Sequence, residues 1–268
     1  MAPKPFESWI QDLVYNVDVG IGQRFVKLAL YVLFVISIGV LYQLWHLLDG
    51  RGRLQFHFRN LALHPRMMAR MLVISTGGIS QFLIATSSWI IIMRIVAMYG
   101  STAVAAYTIG LRILESVWLP SWGLGNAAAT LVGQNLGAGK PDRAEKAVWI
   151  TGLWNMAFMT VITVLFVLFA ESIVGVFTDD PETLAVGTAA LRIISYGYVF
   201  YAWGMVVLQA FNGAGDTVTP TWVNFVAFWL VQIPLAWFLA YRAGMEAEGV
   251  FVAFLAAEMA RTVTGGLV

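Results

Sequence analysis

The sequence predicts an all-α integral membrane protein with seven spanning helices, on three observations. First, 59% of its 268 residues are hydrophobic and 12% charged, against about a quarter charged in a soluble domain. Second, the apolar residues form runs long enough to cross a hydrocarbon core of roughly 30 Å, which takes about 20 helical residues. Third, the segments between those runs alternate in charge. Stretches such as VITVLFVLFA (161–170) show no apolar/polar alternation, which argues against the short two-faced strands of a membrane β-barrel.

Residues 28–48 form the first run and contain no Asp, Glu, Lys or Arg. Residues 1–22 lack a short apolar core behind a basic start and a small-residue cleavage site, so no cleaved signal peptide is expected; 28–48 also suits an uncleaved anchor. The second run is 71–93. The third, 103–132, holds Arg112 and Glu115, and the fourth is 147–170. Runs at 184–210, 218–241 and 250 to the end complete the set. Pro120 and Pro234 fall inside helices, where each removes a backbone hydrogen bond and permits a bend.

Arg51, Arg53, Arg59, Arg66 and Arg70 lie between the first two runs, and Lys140, Arg143 and Lys146 between the third and fourth; TDDPET (178–183) is purely acidic. Short loops rich in Lys and Arg stay cytoplasmic. The two basic segments therefore face inward, together with FNGAGDTVTP (211–220), while TDDPET and RAGMEAEG (242–249) face outward. The alternation puts the N-terminus outside, although Lys4, Arg24 and Lys27 pull the other way.

A net charge of +1 with scattered basic residues offers no stripe for nucleic acid. Absence of cysteine excludes disulfides, Cys-ligated zinc and haem thioethers. His46, His57 and His64 are the only histidines, and no HExxH or GxSxG is present. No catalytic residue, metal or cofactor is assigned, and an enzyme is not expected.

In LVGQNLGAGKPDRAEKAVW (131–149), Gly137 and Gly139 suit the positive φ that ends a helix. Lys140 lies at the negative end of the helix dipole, and Pro141 with Asp142 fits the first turn of the next helix. NGAGDT (212–217) has the same character, with Pro220 opening the helix that follows. Neither stretch ends as a phosphate loop does.

Together with AAYTIGLRI (105–113) and LPSWGLGNAAAT (119–130), these turns, with Gly133, Gln134, Asn135, Gly137, Gly139 and Pro141 in one and Gly213, Gly215, Asp216, Thr217 and Pro220 in the other, resemble the multidrug and toxic compound extrusion (MATE) transporters. The likeness is to their C-terminal lobe and runs from about Arg53 to the end. It implies a six-helix MATE-type lobe over 53–268. Residues 1–52, unmatched to the family, would carry one extra transmembrane helix where the last helix of the other lobe normally sits. It further implies a multi-pass protein of the plasma membrane, the inner membrane in a bacterium. Organic cations or amphipathic compounds would be exported against an inward flow of H⁺ or Na⁺. A second lobe, from a homodimer partner or a separate N-terminal half, would complete the family's pseudo-twofold. In NorM-type members, carboxylates on the first and fourth helices of this lobe bind the coupling cation; those positions align with Ile84 and Tyr201, neither acidic. DinF-type members place their key aspartate in the other lobe.

Glu115 lies about 20 Å along its helix, where a bare charge costs at least about 3 kcal/mol and calls for a partner or a watered cavity. Either it lines the central cleft and attracts a cation, or it pairs with Arg112 three residues earlier. Glu258 and Arg261 repeat that spacing, and there the structural pair is favoured. Arg192 reaches the outer interface or lines the cleft. Gln81, Asn126, Asn155, Asn224 and Gln232 suit ligand orientation or interhelical hydrogen bonding, worth about 0.6 kcal/mol each. Trp45, Trp149, Trp154, Trp222 and Trp237 suit an aromatic cavity or an interfacial belt. The binding candidates are thus Glu115, Arg112, Asn126, Gln81 and Tyr201. An alternative to transport, a truncated or fused inactive relic or an interaction subunit, is favoured by the end at Val268 partway through a run. A lipid-linked-sugar flippase would want more deep arginines than Arg112 and Arg192.

Overall fold

The computed structural model describes residues 21–49 and 64–267, in two compact units, Met1–Pro65 and Arg66–Val268. The N-terminal residues 1–20, with Arg51, Arg53, Arg59, His57 and the expected boundary at residue 52, lie outside the described residues.

In the first unit, helix α1 (Ile21–Leu48) includes the first apolar run. Ser37 donates its hydroxyl to the Leu33 carbonyl at 2.8 Å, which satisfies that group within the helix. The rings of Tyr42, Trp45 and His46 cluster at its C-terminal end, the composition that suits a membrane–water boundary.

The second unit contains α2 (Pro65–Ala97), α3 (Ser101–Gly137), α4 (Pro141–Val174), α5 (Pro181–Tyr196), α6 (Tyr198–Ala214), α7 (Val218–Arg242) and α8 (Glu246–Leu267). Four of these helices are long and apolar enough to span a membrane, and α5 with α6 makes a fifth span bent by 46°. Helix α3 has the length, at 37 residues, but not the apolarity. The chain is a multi-pass membrane protein.

Three irregularities depart from the plain runs. The run at 184–210 breaks at Gly197, where a Cβ would stand 3.1 Å from the Ile194 carbonyl oxygen and 3.6 Å from Leu255. Helix α4 kinks at Phe169. In α7, wide π-helical turns at Val226–Gln232 and Phe238–Arg242 flank the Ile233–Trp237 segment that contains Pro234. A proline has no N–H to give the preceding turn, and locally rewinding the ladder is one way to accommodate that.

Small residues fill the contacts between helices: Ala106, Ala128, Ala170, Ala190, Ala202 and Ala253 are all buried. Apolar side chains gain little by leaving lipid, so close backbone approach and interhelical hydrogen bonds hold such a bundle. Gly152 lies under the Trp203 ring, with 2.5 Å left for a Cβ. Asn155 donates to the Ala202 carbonyl at 3.0 Å and Thr163 to the Ser195 carbonyl at 2.9 Å. Trp149, Trp154, Trp222 and Trp237 are exposed, and Arg242 lies over the Trp237 ring at 5.9 Å.

The two glycine-rich turns have one design. After α3, Gly139 takes φ +68° and the N–H groups of Gly139 and Lys140 bond back to the carbonyls of Leu136 and Asn135. After α6, Gly215 takes φ +90°, and the N–H groups of Gly215 and Asp216 bond to Asn212 and Phe211. Both are Schellman closures, which return orphan carbonyls to the hydrogen-bond count. Gly137 departs from expectation. It remains in α3 as its last residue, because one left-handed residue suffices to end a helix. Pro141 and Pro220 both fall in first turns, as expected.

Asp216 caps α7 from the turn. Its carboxylate accepts from the Val218 and Thr219 N–H groups, both at 3.0 Å, and from the Thr219 hydroxyl at 2.6 Å. Those bonds, the Thr219 hydroxyl first, hold the Asp216 carboxyl below the usual aspartate range. A lowered value means the ionised cap stabilises the fold above the usual range and is lost as pH falls through the lowered one. Asp216→Ala is expected to cost about 1 kcal/mol in detergent unfolding. Asp216→Asn should keep the cap while showing a smaller acid-side fall in melting temperature than the wild type. Equal acid sensitivity of the two would refute the assignment. Asp180 caps α5 in the same manner through Thr183.

Candidate functional site

Helices α3 and α6 run parallel along a shared seam. Trp118 stacks on Tyr201 with ring centres 5.2 Å apart. Further along, a Cβ on Gly125 would stand 3.3 Å from Met205 and Gln209. At the end of the seam, a Cβ on Gly133 would be 3.0 Å from the Gly213 carbonyl oxygen, and one on Gly213 would be 2.2 Å from that of Ala129. Both glycine-rich turns therefore sit at the same end of the bundle.

Toward the other end the seam opens into a cavity of about 430 Å³ lined by Glu115, Trp118, Leu119, Trp122, Tyr201 and Met205. The four α3 residues recur at the spacing of one helical face, and Tyr201 and Met205 are one turn apart on α6. A carboxylate above aromatic walls attracts organic cations twice over, by charge and by the ring faces. The Trp118 indole N–H has no acceptor among the described residues. Pro120, within this stretch, deprives the Ser116 carbonyl of its helical donor.

The ring stack continues past the cavity. Trp89 stacks on Trp118 at 5.7 Å. On Tyr201 lies the guanidinium of Arg261, 5.0 Å from its centre and 5.8 Å from that of Phe228. Arg261 makes an ion pair with Glu258 at 2.9 Å, both deeply buried.

Arg112 and Glu115 do not pair; both are exposed. In an open setting the Coulomb gain barely exceeds the entropy of holding two long side chains together. The i, i+3 spacing becomes an ion pair in α8 because that face is enclosed. Glu115 is thus a free carboxylate at the cavity, while Arg112 does not line it.

Gln81 and Asn126 belong to a polar chain below the cavity. Gln81 donates to Asn212 at 3.1 Å and to the Thr217 carbonyl at 3.3 Å; Asn212 donates to Gln209 at 2.8 Å; and Gln209 donates to Asn126 at 2.6 Å. The chain joins α2, α3, α6 and the α6–α7 turn. Gln232 accepts from Ser88 at 3.2 Å, and the Ile84 carbonyl accepts from Trp229 at 3.2 Å. These amides serve as interhelical ties. Trp118, Trp122 and Met205 went unnoticed in the sequence, although stepping three, four and seven residues from Glu115 along one face finds the α3 part of the wall.

The MatE family signature matches residues 79–238, more than half of the chain. Relatives include the probable multidrug resistance protein YoeA of Bacillus subtilis, 26% identical over 200 residues, 74% of this chain and 43% of YoeA. A probable multidrug resistance protein NorM of Caulobacter vibrioides is 32% identical over 160 residues, 58% of this chain and 33% of that one. The chain spans less than half the length of these relatives. A solved MATE structure in the straight conformation overlays with a TM-score of 0.82 at 18% identity, covering 96% of this chain and 58% of that chain. A transporter of the MOP superfamily from Pyrococcus furiosus, described by the reverse polarity of its binding pocket, overlays at 0.81 with 17% identity, over 96% of this chain and 58% of that one. At such identities the likeness is one of fold. The signature, the parallel seam and the paired turns lead to one statement: the chain belongs to the MatE family of multi-pass membrane transporters and is not an enzyme.

Proposed function

We propose that this chain is one lobe of a cation-coupled multidrug exporter that moves organic cations by alternating access. The coupling ion is H⁺ or Na⁺, and the setting is a plasma membrane, the inner one in a bacterium. A second lobe, from another copy or a separate N-terminal half, completes the path. The observation that carries this reading is the cavity where the unpaired Glu115 carboxylate meets Trp118, Trp122 and Tyr201. A lobe with an open, aromatic, acidic recess supplies half of a binding site for a flat cation.

The test is efflux of a cationic dye from a drug-sensitive host expressing the chain alone or with a candidate N-terminal half. Glu115→Gln is expected to lower efflux about tenfold, the scale of one charge-assisted contact, at unchanged membrane abundance. Efflux unaffected by this change removes Glu115 from the path. Absence of efflux in every combination, with the chain well inserted, favours the second reading, an inactive lobe or interaction subunit. That reading draws on Ile84 and Tyr201, neither acidic, at the positions that the family resemblance aligns with the cation-binding acids of NorM-type members.

A further inference from the structure

We propose that the groove between α4 and α5, at the end of the bundle carrying the acidic 178–183 loop, binds the headgroup of a phospholipid with a primary amine. It is a cavity of about 380 Å³ lined by Glu171 of α4 and by Pro181, Leu184, Ala185, Thr188, Ala189 and Arg192 of α5. It shares no residue with the Glu115 cavity, and its occupancy stands apart from the transport reading.

Three polar groups in this groove lack the partners that folding normally supplies. The Thr188 hydroxyl is buried, at 9% exposure for the residue, and has no hydrogen-bond partner. Such a group costs about 1–3 kcal/mol unless something fills the site. Arg192 spends only its Nε, which donates to the Val167 carbonyl at 3.3 Å; the rest of its guanidinium has no partner among the described residues. The Glu171 carboxylate has none either. Glu171 and Arg192 are exposed, line one groove with opposite charges and form no ion pair, so a ligand that presents both charges can engage both groups.

Their order matches a zwitterionic lipid. Arg192 reaches the level of Val167, four residues and about 6 Å further from the helix end than Glu171. A phospholipid headgroup places its phosphate nearer the glycerol and its amine outermost. The phosphate would meet Arg192 and the Thr188 hydroxyl, a geometry suited to the planar fork of arginine, and the ammonium would meet Glu171. Deeper along the same side of α4, Val161, Val164 and Leu168 are exposed apolar residues, a track for acyl chains. A trimethylated amine cannot donate hydrogen bonds to Glu171, and a glycerol headgroup brings no positive charge, so the site distinguishes ethanolamine from choline and glycerol lipids.

The experiment uses the whole chain, purified in detergent with equal amounts of phosphatidylethanolamine, phosphatidylcholine and phosphatidylglycerol, with retained lipids counted by native mass spectrometry. One phosphatidylethanolamine is expected to remain, at about tenfold preference over the other two, the scale of one charge-assisted hydrogen bond. Glu171→Gln should abolish the preference, Arg192→Gln should lower retention of all three lipids about tenfold, and Arg192→Lys should restore part of it. Equal retention of the three lipids by the wild type overturns the proposal, as does preference unchanged in both neutral variants. Displacement of the lipid by inorganic phosphate alone identifies a soluble-anion site instead and also overturns it. Should a variant fail to fold, the wild-type preference decides the matter.

Discussion

Replacing Gly213 by alanine is expected to destabilise the chain by about 3 kcal/mol, the upper range for overpacking a tight contact. The new methyl group would lie 2.2 Å from the Ala129 carbonyl oxygen and 2.7 Å from its Cα. These are backbone atoms of α3, so no rotamer change makes room and the two helices must move apart. On the other side of the contact, Gly133 has 3.0 Å to the Gly213 oxygen, so Gly133→Ala should cost less. Gly123, with nothing within 4 Å of a Cβ, provides the control: Gly123→Ala should leave stability unchanged or raise it by up to about 1 kcal/mol through helix propensity. Thermal unfolding in detergent reads all three. A Gly213→Ala chain as stable as the wild type would mean that this approach of the two helices does not hold the bundle.

Breaking the Glu258–Arg261 pair should cost about 3–5 kcal/mol per single substitution, because a buried charge is left without its partner. The two halves are not equal. A guanidinium cannot shed its proton, so Glu258→Met strands a permanent charge whose remaining partners are the faces of Tyr201 and Phe228. An isolated carboxylate has the option of neutralising itself, so Arg261→Met should be the milder change. The Glu258→Met/Arg261→Met double variant should recover most of the loss, since apolar side chains of similar volume often replace a buried pair at little cost. A double-mutant cycle by chemical unfolding measures the coupling. Single-variant losses below about 1 kcal/mol would show that water reaches the pair, as at exposed bridges.

Much of this arrangement is legible in the sequence, and what is not has physical causes. Uncharged runs mark spanning helices because lipid excludes unpaired charge, and Gly139, Gly215, Pro141 and Pro220 mark turns through backbone constraints that act locally. The break at Gly197 is hidden, since no proline interrupts that run, its one charge, Arg192, stands five residues earlier, and the bend answers to Leu255 on a distant helix. Spacing offers Arg112–Glu115 and Glu258–Arg261 the same i, i+3 pair, favoured in the sequence at Glu258–Arg261. Which of them closes depends on enclosure, which arises only when α8 packs under Tyr201 and Phe228. The acid of the candidate site was visible as a charge deep in an apolar run. Of its walls, Trp118, Leu119 and Trp122 follow from the same helical face, whereas Tyr201 and Met205 come from a helix more than eighty residues later. Gln81 and Asn126 look like ligand groups in isolation and become ties once Gln209 and Asn212 are seen between them.

The seam between α3 and α6 behaves as a pair of tongs welded at one tip. Glycines fix the two rods where Gly133 meets Gly213, and Trp118 lies fifteen residues away, about 22 Å of lever at the helical rise. A swing of about 5° around the weld would displace the far tip by about 2 Å over that arm.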